Sequence, residues 1–336
     1  MKKTTVLLAG TALTMASFSS LAAEEVNVYS YRQPFLVEPM FESFTKDTGV
    51  KVNVVFAKKG LDERLVREGK YSPADVVLPT DISQMVKLVE KGVTQPVQSD
   101  AINKSIPEQY RDPNGHWYAL TLRIRNIYSA KRNGKPEDIS YEDLAKPEFK
   151  GKVCTRSGKH PYNLSLVSSM IAYKGEQQTK AWLEGVKANL ARRPQGNDRA
   201  QVKAIKEGVC DYSLGNSYYF GQMMKRDDQR EWAESVYINF PNQGNRGANG
   251  NVSGMVMAKH APNKANAQTL MEYLAGEKAQ SVYAEVNMEY PINKSVPVSK
   301  TVAAWGDFKA EDMSLVQIAA NQAKAQKLID EVQFDH

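Results

Sequence analysis

Between Val26 and Gly92 the hydrophobic period of the chain switches repeatedly from two to three-or-four residues, and this alternation restricts the fold more than any other feature. Val26-Asn27-Val28-Tyr29-Ser30-Tyr31 alternates as a half-buried strand does. From Pro34 onward, Leu36, Val37, Met40, Phe41 and Phe44 share one face of a helix that Gly49 is placed to stop. A second apolar strand runs from Val50 to Phe56 and a short helix from Leu61 to Glu68. Ala74 to Leu78 forms a third strand, and Ile82 to Gly92 an amphipathic helix with a glycine stop. Short strands separated by helices predict a parallel sheet with helices packed on it.

Trp117 to Ala130 is a long strand-like run with no breaker, long enough to cross from one lobe to another. After it, Tyr141 to Val153 reads as a helix, a Pro/Gly turn and the start of a strand. Helices are expected near Gln178 to Asn189 and Arg199 to Lys206, the second with a capping box formed by Asp198 and Gln201. Cys210 to Leu214 reads as a strand, and Ser217 is placed to cap a helix starting at Tyr218. A Gly/Asn-rich loop, Asn242 to Asn251, precedes a return crossing at Val252 to Ala258, and the remainder is largely helical. The expected architecture is α/β and two-lobed, in the manner of periplasmic binding proteins. Residues 24–124 plus 241–296 form the first lobe, and 125–240 plus 297–336 the second. A ligand would lie in the cleft between them, at strand C-terminal ends and helix N-termini.

The first 23 residues carry an address rather than a fold. Lys2 and Lys3 precede the apolar run Val6–Phe18, and small residues through Ala23 precede Glu24-Glu25, the three-part layout of a secretory signal peptide. The apolar run is short for a membrane span. Cleavage after Ala23 leaves 336 − 23 = 313 residues, enough for two cores, and removing both lysines takes the net charge from +6 to +4. That mild, dispersed basicity fits an anionic ligand or partner surface, and no Arg/Lys stripe with interleaved aromatics suggests nucleic acid. In an exported chain the two cysteines, Cys154 and Cys210, are expected to form one disulfide.

Chemistry concentrates on phenols. Tyr218 and Tyr219 follow a strand and open the next helix, where the positive end of the helix dipole favours phenolate. An adjacent tyrosine pair is ordinarily core packing, but this placement, with Tyr162 after the Ser/Gly turn of CTRSGKHPYN, suggests three oxygen donors for one hard, highly charged cation. Three phenolates balance a trivalent ion and leave a neutral centre able to accept a small anion. Arg123 and Arg125, which share one strand face, are candidates to hold that anion, with Arg32 a weaker one. His160 precedes Tyr162 by two residues and reads as a solvated loop histidine. No nucleophile-elbow, phosphate-loop, zinc-protease or dinucleotide motif is present.

At these residues the chain resembles the periplasmic ferric iron-binding proteins of the FbpA type, the receptors of bacterial iron ABC transporters. The resemblance is carried by VNVYSYRQ (26–33), YSPADVVLPTDIS (71–83), KPEFKGKVCTRSGKHPYNLSL (146–166), ANLARRPQGNDRAQVKAIKEGVCDYSLGNSYYF (188–220) and MEYP (288–291), which span both lobes. It implies a transferrin-like Fe(III) site with Tyr162, Tyr218 and Tyr219 as the ligands. It also implies a synergistic anion such as carbonate, a periplasmic location and delivery to an inner-membrane ABC permease. Related branches carry a His-Tyr pair where this chain has Gln33 and Pro34, and others a carboxylate near Thr80 or Asp81. Asp81 is available as a first-lobe ligand, though an Asp after a strand usually caps a helix. The competing readings are a receptor for a polyamine, a carboxylate or a ferric chelate on the same architecture, and a periplasmic enzyme. A polyamine site would want acidic cleft loops, whereas these are basic and phenolic, and an enzyme would need a nucleophile joined to a base. The chain is expected to act as a monomer, without turnover, and without inserting into a membrane.

Overall fold

The structure, a computed structural model, describes residues 24–336, so the expected leader lies outside the described residues. Ten strands follow in chain order: β1 (Glu25–Ser30), β2 (Lys51–Phe56), β3 (Val76–Leu78), β4 (Thr94–Gln95), β5 (Tyr118–Ala130), β6 (Val153–Cys154), β7 (Tyr212–Asn216), β8 (Val236–Asn239), β9 (Gly250–Ala258) and β10 (Tyr290–Pro291). The principal path through the sheet is β2-β1-β3-β9-β5-β7-β6. The opening alternation folds as read, with β1 parallel to both β2 and β3. Helix Pro34–Thr48 buries Val37, Met40, Phe41 and Phe44, and stops at Gly49, whose left-handed φ of 77° needs no Cβ.

The crossing strand is real and its pairing explains its length. Tyr118 to Ile124 pair with β9, whereas Arg125 to Ser129 pair with β7 and Ile127 to Ala130 with β8. The partner therefore changes between Ile124 and Arg125. All thirteen residues of β5 are buried, so neither face shows the polar alternation of a surface strand. The chain returns antiparallel along the same strand through β8, a Gly/Asn-rich loop and β9. Arg125 N–H donates to the Asn249 carbonyl at 2.9 Å, and the Tyr141 hydroxyl, accepting from Asn249 N at 3.0 Å, donates to the Arg125 carbonyl. These bonds tie the two crossings together where the partner changes.

Apolar packing follows the same division. One core gathers β1, β3, β9, the first half of β5, helical residues as far as Tyr283 and the segment Met288 to Ile292, and also takes in Val302 and Leu315. On the other side Ile127, Leu164, Met170, Trp182 and Leu214 pack with Ala325, Leu328 and Ile329. The C-terminal segment thus passes from the first core to the second between Leu315 and Ala325.

Three local expectations are corrected. Helix Asp198–Lys206 is capped by Asn197, which accepts from Ala200 N at 3.0 Å; Asp198 is its first helical residue and is fully buried. Ser217 makes no side-chain cap, its hydroxyl accepting instead from Ile124 N at 3.3 Å. The helix expected after Tyr141 is reduced to 3-10 turns at Glu142–Ala145 and Pro147–Phe149, because Pro147 and Gly151 leave no room for a longer run. Cys154 and Cys210 form the expected disulfide across 56 residues. Closing a loop of that length limits the unfolded chain by about 4 kcal/mol on the entropic account.

Candidate metal centre

Tyr162 lies in the first turn of helix Pro161–Ala188, not in a surface turn. Pro161 suits that position because its missing N–H would be unpaired there in any case. His160 caps the helix, its Nδ1 accepting from Tyr162 N at 3.3 Å, and its ring meets the Tyr162 ring edge-on at 4.5 Å. Burial, and then the Arg156 guanidinium, push the His160 imidazole down to about 3. It is therefore neutral and able to accept, where a solvated loop histidine was expected.

Tyr218 and Tyr219 are delivered by β7, which is fixed on the crossing strand by the pairing of Asn216 with Arg125. They open helix Tyr218–Met224. One turn on, a Cβ at Gly221 would stand 2.6 Å from Met288 Cγ and 3.1 Å from Trp305 Cζ2, so glycine lets this helix press against the MEYP segment. The three phenols then meet. The hydroxyl oxygens of Tyr162 and Tyr218 are 3.3 Å apart, and the rings of Tyr218 and Tyr219 lie 4.2 Å apart at 31°. Tyr218 is buried, while Tyr162 and Tyr219 are half-buried.

Electrostatics at the cluster run opposite to the helix-dipole expectation. Burial, then the neighbouring Tyr162 and Tyr219, raise the Tyr218 phenol well above its ordinary range; burial and Tyr162 do the same to Tyr219. A helix of seven residues offers too little dipole to win against that desolvation. Crowding and burial thus keep Tyr218 and Tyr219 protonated, and a strongly charged ion is what would reverse this.

Guanidiniums surround the rings. Arg123, Arg125 and Arg156 stand 5.6, 5.9 and 5.3 Å from the Tyr162 centroid, and Arg199 stands 5.5 Å from that of Tyr219. Arg125 is committed elsewhere: Nη1 donates to Asp198 at 2.6 Å and Asn216 at 3.1 Å, and Nη2 to Asn163 at 2.7 Å. Asp198 also pairs with Arg156 at 3.2 Å and accepts from Asn216 N at 2.9 Å. Burial opposes its ionisation, but the two guanidiniums hold its carboxyl below the usual range. Arg123 donates from Nη2 to the Thr80 carbonyl, and its Nε lies 4.0 Å from Glu289. Among the described residues nothing accepts from its Nη1. Arg32 is held bidentate by Glu289 at 3.0 and 2.8 Å.

Asp81 caps helix Ile82–Glu90 through Oδ1, as that position usually does, and leaves Oδ2 buried without a partner. Gln33 is exposed and precedes the first helix without capping it. Asp198, Asn163, Arg156 and Glu289 escaped the sequence reading. Asp198 carried a usable signal: with Asn197 ahead of it as the cap, a second acid at the helix start had no local duty. Glu289 had none, since its partners lie more than 160 residues away in sequence.

No group of three His, Cys, Asp or Glu side chains among the described residues could hold a metal. The donors at this cluster are phenol oxygens, which suit a hard trivalent cation and not the softer ions that prefer imidazole or thiolate.

Known proteins share this framework. Residues 72–312 match the family described as bacterial extracellular solute-binding protein. The chain is 42% identical over 312 residues to iron uptake protein A1 of Synechocystis, covering 92% of this chain and 87% of that protein. The crystal structure of apo ferric ion-binding protein A from Pasteurella haemolytica superposes with a TM-score of 0.90 at 55% identity, covering 94% of this chain and 99% of that one. A Trichodesmium protein in complex with iron and citrate ligands superposes with a TM-score of 0.87 at 37% identity, over 92% and 99% of the two chains.

Proposed function

The chain belongs to the bacterial extracellular solute-binding proteins, and from that premise we propose that Tyr162, Tyr218 and Tyr219 are the ligands with which it captures ferric iron. The protein works in the periplasm, binds without turnover, and serves a membrane permease of the ABC type. The observation that carries the ligand assignment is the 3.3 Å approach of the Tyr162 and Tyr218 oxygens, with the Tyr219 ring tilted against that of Tyr218. Arg123, with its uncommitted Nη1, is the better candidate for holding a synergistic anion such as carbonate. Arg125 braces the site through Asp198. The monomer closes its lobes about the Ile124–Arg125 junction, burying the ion and completing the face that the permease reads.

Proton release tests this reading. The Tyr218 and Tyr219 phenols are raised above their ordinary range, so both are neutral at neutral pH and each must release a proton to solvent to bind iron as phenolate. Apparent affinity should therefore fall by at least about a hundredfold per pH unit on acidification, the slope that the protons of Tyr218 and Tyr219 alone require. Competitive iron titrations in buffers from neutral to mildly acidic pH measure the slope, and an affinity indifferent to pH would remove phenols from the ligand set.

A further inference from the structure

The turn that leads into the Tyr162 helix is held by a distant part of the chain. It runs from Thr155, just after β6, to His160. Within it Ser157 and Gly158 meet the segment that follows helix Gln322–Glu331. Asp335 Oδ2 accepts from the Ser157 hydroxyl at 2.5 Å, and Oδ1 accepts from Gly158 N at 2.7 Å. Both carboxylate oxygens are thus engaged with one turn, across 177 residues of sequence.

The end of that helix aims the carboxylate. Gln333 takes a left-handed φ of 50°; its N–H donates to the Asp330 carbonyl at 3.0 Å, and Phe334 N–H donates to the Ile329 carbonyl at 3.1 Å. These two bonds make a Schellman ending, built here without glycine, which folds the chain back over the last helical turn. Phe334 is thereby buried. A Cβ at Gly158 would stand 2.9 Å from Phe334 Cδ1 and 3.1 Å from Ile329 Cγ2, so glycine lets the turn lie directly on the ring. Asn163 also holds the turn, its Nδ2 lying 3.1 Å from the Thr155 hydroxyl and from the Arg156 and Ser157 carbonyls. The neighbouring Lys159–Asp330 pair is half exposed and adds little.

Tyr162 and Asn163 are adjacent in the first turn of their helix, so the position of this turn sets where the Tyr162 oxygen lies relative to that of Tyr218. A metal-binding constellation tolerates displacements of only about 0.5 Å. We propose that Asp335 is a positioning residue for iron capture, clasping Ser157 and Gly158 so that the Tyr162 oxygen is kept beside that of Tyr218. This rests on the tyrosine site proposed above. Asp335 acts through the turn and is not a ligand of the ion.

The test measures ferric affinity by chelator competition, together with the phenolate-to-iron band per bound iron. Asp335→Ala should lower the affinity by about tenfold, the lower end of the loss when an outer partner of a metal ligand is removed. Asp335→Asn, which keeps one acceptor, should lose less. Gly158→Ala, which pushes the turn off the Phe334 ring and leaves Asp335 in place, should also lose affinity. In all three the band should shift or weaken, which a purely stabilising contact would not cause. Val186→Ala is the control, a buried change at the far end of the same helix, beyond its break at Gly175. It should lower the thermal midpoint and leave affinity and band at wild-type values. Asp335 variants with wild-type affinity and band, or with losses no greater than those of Val186→Ala, would overturn the proposal. If Asp335→Ala does not fold, Asp335→Asn and Gly158→Ala carry the same test. A wild type without any phenolate–iron band would show instead that the tyrosine site is wrong, and this inference would fall with it.

Discussion

Replacing Tyr218 and Tyr219 together by phenylalanine should strip most of the visible phenolate-to-iron absorption, leaving at most the share of Tyr162, and lower ferric affinity by at least about a hundredfold. Loss of an outer partner of a metal ligand commonly costs tenfold to a hundredfold, which sets a floor for losing two ligands outright. The substitution keeps both rings, and so keeps their tilted 4.2 Å contact and the approach of Gly221 to Met288. It removes two crowded hydroxyls, one of them held only by a 3.3 Å contact to Tyr162. Unfolding free energy should therefore stay within about 1 kcal/mol of the wild type. Absorption spectroscopy with added ferric citrate, paired with chemical denaturation, reads both quantities. Retained colour and affinity in a folded double variant would mean that iron sits elsewhere.

Asp198→Ala should produce the opposite pattern, a loss of stability reaching beyond the site. The carboxylate is completely buried and is shared by Arg125 and Arg156, while also accepting from Asn216 N. Removing it leaves two guanidiniums facing one another in a water-poor setting. Breaking a buried ion pair from one side costs about 3–5 kcal/mol. Asn216 pairs with Arg125 in the strand that leads to Tyr218, so the tyrosine helix should loosen as well. Asp198→Asn, which keeps the shape and one acceptor, should lose clearly less. Because the Asp198 carboxyl is held below its ordinary range, its stabilisation is present above the unfolded-state value and disappears as pH falls through the folded one. Urea denaturation of both variants measures the difference, and equal stability of Asp198→Ala and wild type would show the pairing to be incidental.

Much of the framework was legible because it depends on period. The strand–helix alternation from Val26 to Gly92, the unbroken run at Tyr118–Ala130 and the single cysteine pair each have one sensible structural outcome. Tyr218 and Tyr219 stood out for the same reason, as phenols at a strand-to-helix junction. What escaped is long-range polar pairing. That Glu289 would clamp Arg32, or that Asp198 would turn inward once Asn197 took the cap, depends on contacts that no local pattern encodes. The ionisation of the phenols was misjudged for a related reason. Period places the side chains at a helix start, but the desolvation that outweighs the helix dipole comes from tertiary burial, which no local pattern encodes.

Anomalous diffraction from crystals of the iron-loaded protein addresses the central claim most directly. A single iron peak within bonding distance of the hydroxyl oxygens of Tyr162, Tyr218 and Tyr219 is the expected result. A peak on other side chains, or on none of the three, would contradict it.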